Sequence, residues 1–309
     1  MIYGFDIGGT KVAFGVFDER FQPLATSRHA TPVRDYAAFL ELVTGLVKQA
    51  DEHFGETGRV GLGFPGVLDA SGRILAPNVP AIHGRDLLGD LQQRLMRPLV
   101  GDNDANCFLL SEFHGGAVAG SRLALGLTLG TGVGGALVHE GCPINSRRGG
   151  CGEFGHGAIG AGLLARHPGL PLFDCGCGRT ACLEAYVSGT GLARLYRHYG
   201  GAERDGLAIV TAWQQGETEA KRCMDIYVDV LAAGLGALMT QLDPDAVVLG
   251  GSLGEAPWLH QVLAERLPGH MMKGIEPAPV RAPVFGGAGG VRGAALLTGR
   301  ADSSFSSGA

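Results

Sequence analysis

The stretch Tyr3-Gly4-Phe5-Asp6-Ile7-Gly8-Gly9-Thr10 is echoed 122 positions later by Leu125-Gly126-Leu127-Thr128-Leu129-Gly130-Thr131-Gly132. Each copy reads as a strand, a glycine turn and a second strand, with apolar runs at 12–17 and 136–138 completing the two hairpins. A strand-turn-strand unit that must be buried twice within 309 residues predicts a duplicated α/β fold. Chance likeness between two glycine-rich hairpins is the competing reading at this point. Glycine is abundant throughout, 53 residues, against about 7% in an average chain. Tight turns and close backbone contacts are therefore expected.

Between the echoes, apolar residues at a helical period across 35–54, with Asp35 as the N-cap, predict an amphipathic helix. A strand is expected at 60–64, a helix at 87–95, a strand at 99–100 and a helix from Ala105. After the second echo, 219–242 reads as a long helix stopped by Asp243-Pro244, then a buried strand at 246–249, the turn Gly250-Gly251 and a last helix at 291–297. No 18-residue apolar stretch is read, and no basic leader precedes the strand at Ile2, so neither a membrane span nor a signal peptide is expected and the cytoplasm is. A net charge of −5 argues against nucleic acid as a partner.

Asp6-Ile7-Gly8-Gly9-Thr10-Lys11 puts a carboxylate at a strand end and glycines at a turn, an arrangement that can present N–H groups and a hydroxyl to phosphate. A plain hairpin explains the string equally well. Gly130-Thr131-Gly132 and Gly250-Gly251 add two more glycine corners that could converge on a polyphosphate. In Asp102-Asn103-Asp104 one residue is expected to cap the helix at Ala105; Asp104 is also suited to act as general base on a hydroxyl, with Asp6 on the metal side of a phosphoryl transfer. Cys175, Cys177 and Cys182 supply three thiols within eight residues, which His156 could complete as a zinc site; three buried or redox-active thiols are the alternative. Glu153 and Glu184 flank this group and suit sugar hydroxyls, or are solvated surface.

Together, Asp6-x-Gly8-Gly9-Thr10-Lys11, Asn103-Asp104-Ala105-Asn106, Gly130-Thr131-Gly132, Gly152-Glu153-Phe154-Gly155-His156, Cys175-Gly176-Cys177-Gly178-x-x-x-Cys182-x-Glu184 and Asp243-Pro244-Asp245 with Gly250-Gly251 occur in the order seen in the ROK family of sugar kinases and sugar-responsive repressors. The resemblance spans about residues 1–298. It implies the duplicated actin-like (RNase H-like) ATPase fold, with two lobes and a cleft between them. The expected lobes are 1–117, completed by a helix at 291–298, and 118–290 with the zinc loop; 301–309 is expected to be a flexible tail.

The run Ala76-Pro77-Asn78-Val79-Pro80-Ala81 and Phe154 resemble the branch that phosphorylates N-acetyl-D-glucosamine; fructokinase-like members usually carry Trp at the latter position. The resemblance then implies Asp104 as the base on the sugar 6-hydroxyl, and Gly66, Asn78, Asn103, Glu153, His156 and Glu184 around the sugar. Asp6, Gly8, Gly9, Thr10, Lys11, Gly130, Thr131, Gly132, Gly250 and Gly251 would line the side taking ATP and Mg²⁺. Structural Zn²⁺ would sit on His156, Cys175, Cys177 and Cys182. Expected partners are the sugar and ATP, with neither nucleic acid nor membrane; a homodimer is common in the family. The rival readings are a ROK hexokinase for glucose, fructose or mannose, and a sugar-responsive regulator. The latter is disfavoured because the first strand starts at Ile2, leaving no preceding helix-turn-helix. Two positions depart from the family pattern: Ala181, where Gly is usual before the last zinc cysteine, and Gly287, where close relatives carry Asp.

Overall fold

The computed structural model describes residues 1–144 and 150–304. The chain divides into two compact units. Unit 1 comprises Met1–His114, Gly141–Cys151 and the chain from Gly287 onward; unit 2 comprises Gly115–Glu140 and Gly152–Gly286.

In unit 1, β1 (Ile2–Ile7) and β2 (Lys11–Phe17) form the first hairpin. They are followed by β3 (Pro23–Ala30), α1 (Tyr36–Phe54), β4 (Arg59–Phe64), the small pair β5 (Val67–Leu68) and β6 (Ile74–Leu75), α2 (Leu87–Leu95), β7 (Leu99–Asn103) and α3 (Asp104–Phe113). The sheet order is β3-β2-β1-β4-β7, with β1 antiparallel to β2 and parallel to β4. Apolar residues along β1 point to both faces because both are covered. On one face Phe5, Phe39, Val43 and Leu62 form the main core with α1 and α2. As expected, Asp35 caps α1, accepting the Ala38 N–H at 3.0 Å.

Unit 2 repeats the device. β8 (Leu123–Leu129) and β9 (Val133–His139) make the second hairpin; the two-residue strand that follows in the chain, β10 (Cys142–Pro143), falls in unit 1. Then come α4 (Ala161–Arg166), α5 (Glu184–Val187), α6 (Gly189–His198), α7 (Gly206–Gln214), α8 (Thr218–Leu242), β11 (Ala246–Gly250), α9 (Gly251–Gly254), α10 (Pro257–Arg266) and β12 (Val280–Arg281). Within the unit the order is β9-β8-β11-β12, so β8, like β1, is antiparallel to its hairpin partner and parallel to a later strand. Asp245 ends the Asp243-Pro244-Asp245 string by accepting the N–H groups of Arg122 (2.6 Å) and Leu123 (2.8 Å), which pins the start of β8.

Three expectations need correction. The last helix, α11 (Gly289–Ser304), is longer than 291–298 and includes the first four residues expected in the tail; residues 305–309 lie outside the described residues. It is seated by contacts too close for a side chain: a Cβ on Gly293 would overlap the Cys107 carbonyl of α3, and one on Gly61 the Ala294 carbonyl. Gly141–Cys151, expected with the larger lobe, belongs to unit 1. Finally, α8 does contain an 18-residue window of mean hydropathy 1.5, of which 67% is buried, so this apolar stretch is accounted for as a core helix.

Candidate active site

In unit 1 the Gly8-Gly9-Thr10 turn is closed by the Gly8 N–H on the Lys11 carbonyl at 2.9 Å. From behind, Thr31 donates its hydroxyl to the Gly8 carbonyl (2.7 Å) and its N–H to that of Thr10 (3.1 Å). Neither glycine takes a left-handed φ. A Cβ on Gly8 would stand 3.2 Å from the Lys11 carbonyl oxygen, a tight contact, whereas one on Gly9 would meet the Asn78 carbonyl oxygen at an ordinary 3.5 Å. Asp6 is pushed above the usual carboxylate range by burial, against which Lys11 acts. Its carboxylate lies against Gly290 at the start of α11, where a Cβ would stand 2.7 Å from Oδ2.

The capping question at α3 resolves onto Asn103. Its Oδ1 accepts the Ala105 N–H at 2.8 Å, and its amide donates to the Gly66 carbonyl at 2.8 Å. Gly66 has φ +87°, and a Cβ there would overlap the Leu75 carbonyl. Asp104 opens α3, its Oδ1 sharing the Ala105 N–H at 2.9 Å, where the helix dipole favours an anion. Asp102 accepts the N–H of Asn103 (2.8 Å) and the Asn106 amide (2.9 Å). The thiol of Cys107 is buried beneath these groups; burial, reinforced by the charges of Asp102, Asp6 and Asp104, drives its pKa well up.

In unit 2 the Gly130-Thr131-Gly132 turn closes by the Gly130 N–H on the Gly132 carbonyl at 3.0 Å. Gly251, at φ +82°, packs against the backbone of Leu129, bringing the Gly250-Gly251 corner beside this turn. A cavity of about 420 Å³ opens there, with Gly130 and Thr131 at one wall and Thr190, Asp205, Leu207 and Leu253 among the others. Asp205 spends one oxygen on the Ala208 N–H as the cap of α7. Leu207 is 55% exposed, a large apolar side chain turned out at the cavity's edge. Thr190, Asp205 and Leu207 carry no motif, and sequence reasoning missed them; only the N-cap signal at Asp205 was there to be found.

The thiols of Cys175, Cys177 and Cys182 and a ring nitrogen of His156 all lie within 4.8 Å of one another. Cys177 and Cys182 have their sulfurs 3.7 Å apart, close to the ~3.8 Å edge of a tetrahedron with Zn–S bonds of about 2.3 Å. His156 turns Nδ1 toward the Cys175 sulfur (3.5 Å) and Nε2 toward Glu153 Oε2 (3.5 Å), as metal-bound imidazoles paired with a carboxylate do. Ala181 holds φ +60°, so at this departure the backbone takes the left-handed turn that glycine would favour. At Gly287 a Cβ would meet open space. Glu184 accepts the Val133 N–H at 2.8 Å through Oε2, while Oε1 lies 3.8 Å from Cys175 Sγ.

Two mixed sheets, each opened by a hairpin with a glycine turn, define the duplicated architecture of the actin-like ATPases. The ROK family model matches residues 2–301, and the chain belongs to that family. It is 44% identical over 299 residues to the N-acetyl-D-glucosamine kinase of Salmonella newport (strain SL254), covering 96% of this chain and 99% of that protein. Among solved structures it is similar to a ROK hexokinase from Thermus thermophilus, at TM-score 0.86 and 32% identity, with 98% and 99% of the two chains covered. A ROK family glucokinase from Streptomyces griseus, solved with glucose and AMPPNP, matches at TM-score 0.78 and 29% identity over 97% and 99%.

Proposed function

We propose that this chain is an ATP-dependent kinase that transfers the γ-phosphoryl group to the 6-hydroxyl of N-acetyl-D-glucosamine, giving N-acetyl-D-glucosamine 6-phosphate and ADP. The observation that carries the reading is the 44% identity to a kinase of that name across 96% of this chain and 99% of the relative. Asp104 is the base: it takes the 6-hydroxyl proton as that oxygen attacks the γ-phosphorus, and the bond to the β,γ-bridging oxygen breaks with its electron pair leaving on ADP. Asn103 fixes the start of α3 and, with Gly66 and Asn78, lines the sugar's surroundings. Glu153, His156 and Glu184 take further sugar oxygens, carboxylates being suited to accept from paired hydroxyls.

The backbone at Gly8, Gly9, Thr10, Lys11, Gly130, Thr131, Gly132, Gly250 and Gly251 faces the phosphates. The cavity in unit 2 accommodates the nucleoside, with Leu207 and Leu253 as apolar walls for the base. Asp6, a buried carboxylate with a raised pKa, suits a nearby cation, and a magnesium ion bound with the nucleotide would neutralise developing phosphate charge. His156, Cys175, Cys177 and Cys182 would hold zinc as a structural ion, a role their mutual spacing supports. Sugar and ATP are the partners this reading needs, and the cytoplasm, where ATP is made available, is its compartment.

The Thermus thermophilus likeness favours one second reading, a hexokinase of broader or different sugar choice. A coupled ADP-release assay separates the two. N-acetyl-D-glucosamine is expected to give a kcat/KM about tenfold or more above glucose, mannose, fructose and N-acetylmannosamine; a preference for glucose supports the second reading. In the same assay Asp104→Asn is expected to lose about a thousandfold in kcat while sugar affinity stays within about threefold. Near-normal turnover in that variant would refute the base assignment.

A further inference from the structure

The segment 182–190 joins two places the function treats separately. It begins at Cys182, in the cluster with His156, and carries Glu184; it ends at Gly189 and Thr190, where α6 starts. Along its length it grips the 130–133 turn repeatedly. Glu184 Oε2 accepts the Val133 N–H at 2.8 Å, the Gly189 N–H donates to the Gly130 carbonyl at 2.7 Å, and the Thr190 hydroxyl donates to the Thr131 carbonyl at 2.9 Å. The Glu184 carboxylate also lies over Gly132 so closely that a Cβ there would stand 2.7 Å from Oε2. Its other oxygen looks the opposite way, toward Cys175 and the cluster. In unit 1, among the described residues, the equivalent turn is backed locally by Thr31 at the end of the neighbouring strand. The second copy of the duplicated hairpin thus carries a brace that is not found for the first among the described residues.

We propose that 182–190 couples sugar binding to nucleotide binding, with Glu184 as the positioning residue: the carboxylate that receives the sugar through Oε1 holds the phosphate-facing turn through Oε2. This rests on the function proposed above. A charge-assisted bond to a backbone N–H is directional, so seating a sugar hydroxyl on Oε1 fixes the carboxylate and through it the turn. The turn, once held by phosphates, fixes Glu184 for the sugar in return. Such coupling is reciprocal by thermodynamic necessity and must appear in equilibrium affinities.

The test is calorimetric titration of the full-length protein, purified with its bound metal, with N-acetyl-D-glucosamine in the presence and absence of saturating AMPPNP. The ratio of the two dissociation constants reads the coupling and cancels changes in intrinsic sugar affinity. The natural protein is expected to bind the sugar about fivefold or more tightly with the nucleotide analogue present. Two variants address different ends of the brace: Gly132→Ala, whose methyl group meets the Glu184 carboxylate, and Thr190→Val, which removes the bond to Thr131. Each is expected to bring the ratio below about twofold. A ratio near one in the natural protein, or the natural ratio kept by both variants, overturns the proposal. Should another hexose prove to be the one phosphorylated, the ratio is read with that hexose, so a wrong sugar and a missing coupling give different results.

Discussion

Ala181 is the residue whose chemistry and conformation disagree most plainly. It sits at φ +60°, its N–H donating to the Phe173 carbonyl at 2.8 Å and its own carbonyl accepting from Ile159 at 2.9 Å, so the backbone is held there from both sides. A Cβ in the left-handed region costs about 1–2 kcal/mol. Restoring glycine returns that strain but adds ~0.4–1 kcal/mol of unfolded-state entropy. Ala181→Gly is therefore expected to stabilise the protein by about 1 kcal/mol, a rise of roughly 2 °C in melting temperature for a chain of this size. Scanning calorimetry checks it, and an unchanged or lowered Tm means the loop relaxes around alanine without strain. The sequence marked this position as a departure from the family pattern, and the structure shows that the left-handed φ is kept there in spite of it. Asn103 was legible in the same partial way: the string Asp102-Asn103-Asp104 offered three candidate caps, and only the bond to the Gly66 carbonyl, 37 positions earlier in the chain, selects among them.

Among elements, the clustering of the cysteine loop was readable because three thiols within eight residues, separated by glycines, can fold back toward one point, and the structure brings them within 4.8 Å of one another. On the proposed structural role of zinc, a metal-stripped loop loses the ion that would tie His156, Cys175, Cys177 and Cys182 together and keeps only its hydrogen bonds, such as the Arg179 guanidinium on the His156 carbonyl at 3.0 Å. Elemental analysis is expected to find about one zinc per chain, and chelation to loosen the loop so that the already exposed Arg179 becomes a trypsin cleavage site, with new fragments ending there. An unaltered peptide map after complete metal removal would show that the loop organises itself unaided. By contrast, α11 was under-read. Its first turn comes out of Gly286-Gly287-Ala288-Gly289-Gly290, which local propensity assigns to a loop, since each glycine costs about 1 kcal/mol in a helix. Packing reverses that preference: Gly4 and Gly61 of the sheet and Gly293 of the helix remove the side chains that would hold the backbones apart.

At the scale of the whole molecule, stability against acid has an identifiable contributor. Asp229 on α8 is 1% exposed and is met by His167 and His270 (each 2.8 Å), Arg166 (2.9 Å) and Arg266 (3.3 Å), the last also paired with Asp225. Burial alone would raise its pKa; the hydrogen bonds from His270, His167 and Arg266 outweigh it and bring the carboxyl down to about 2. A group depressed in the folded state contributes stability above its unfolded pKa of about 4 and loses it as pH falls toward 2, here about 2 kcal/mol. Urea unfolding of the natural protein between pH 5 and pH 2.5 is expected to show that loss, and Asp229→Asn to be less stable at pH 5 but flatter below it. Parallel pH profiles for the two proteins would rule the contribution out. No motif announced this cluster, because its members are scattered from 166 to 270 and meet only once α8 is packed. The duplicated hairpins were legible for the opposite reason: a strand, a glycine turn and a strand are contiguous, and their copy could be compared with itself. The place of α11 carries a last consequence, for biosynthesis. The glycine-lined face of β1 and β4 emerges early from the ribosome, yet the helix that covers it lies 176 residues beyond the end of α3, roughly 10–35 s of translation at ordinary elongation rates. Throughout that interval the nascent first unit is unfinished, and it closes only once α11 has been made.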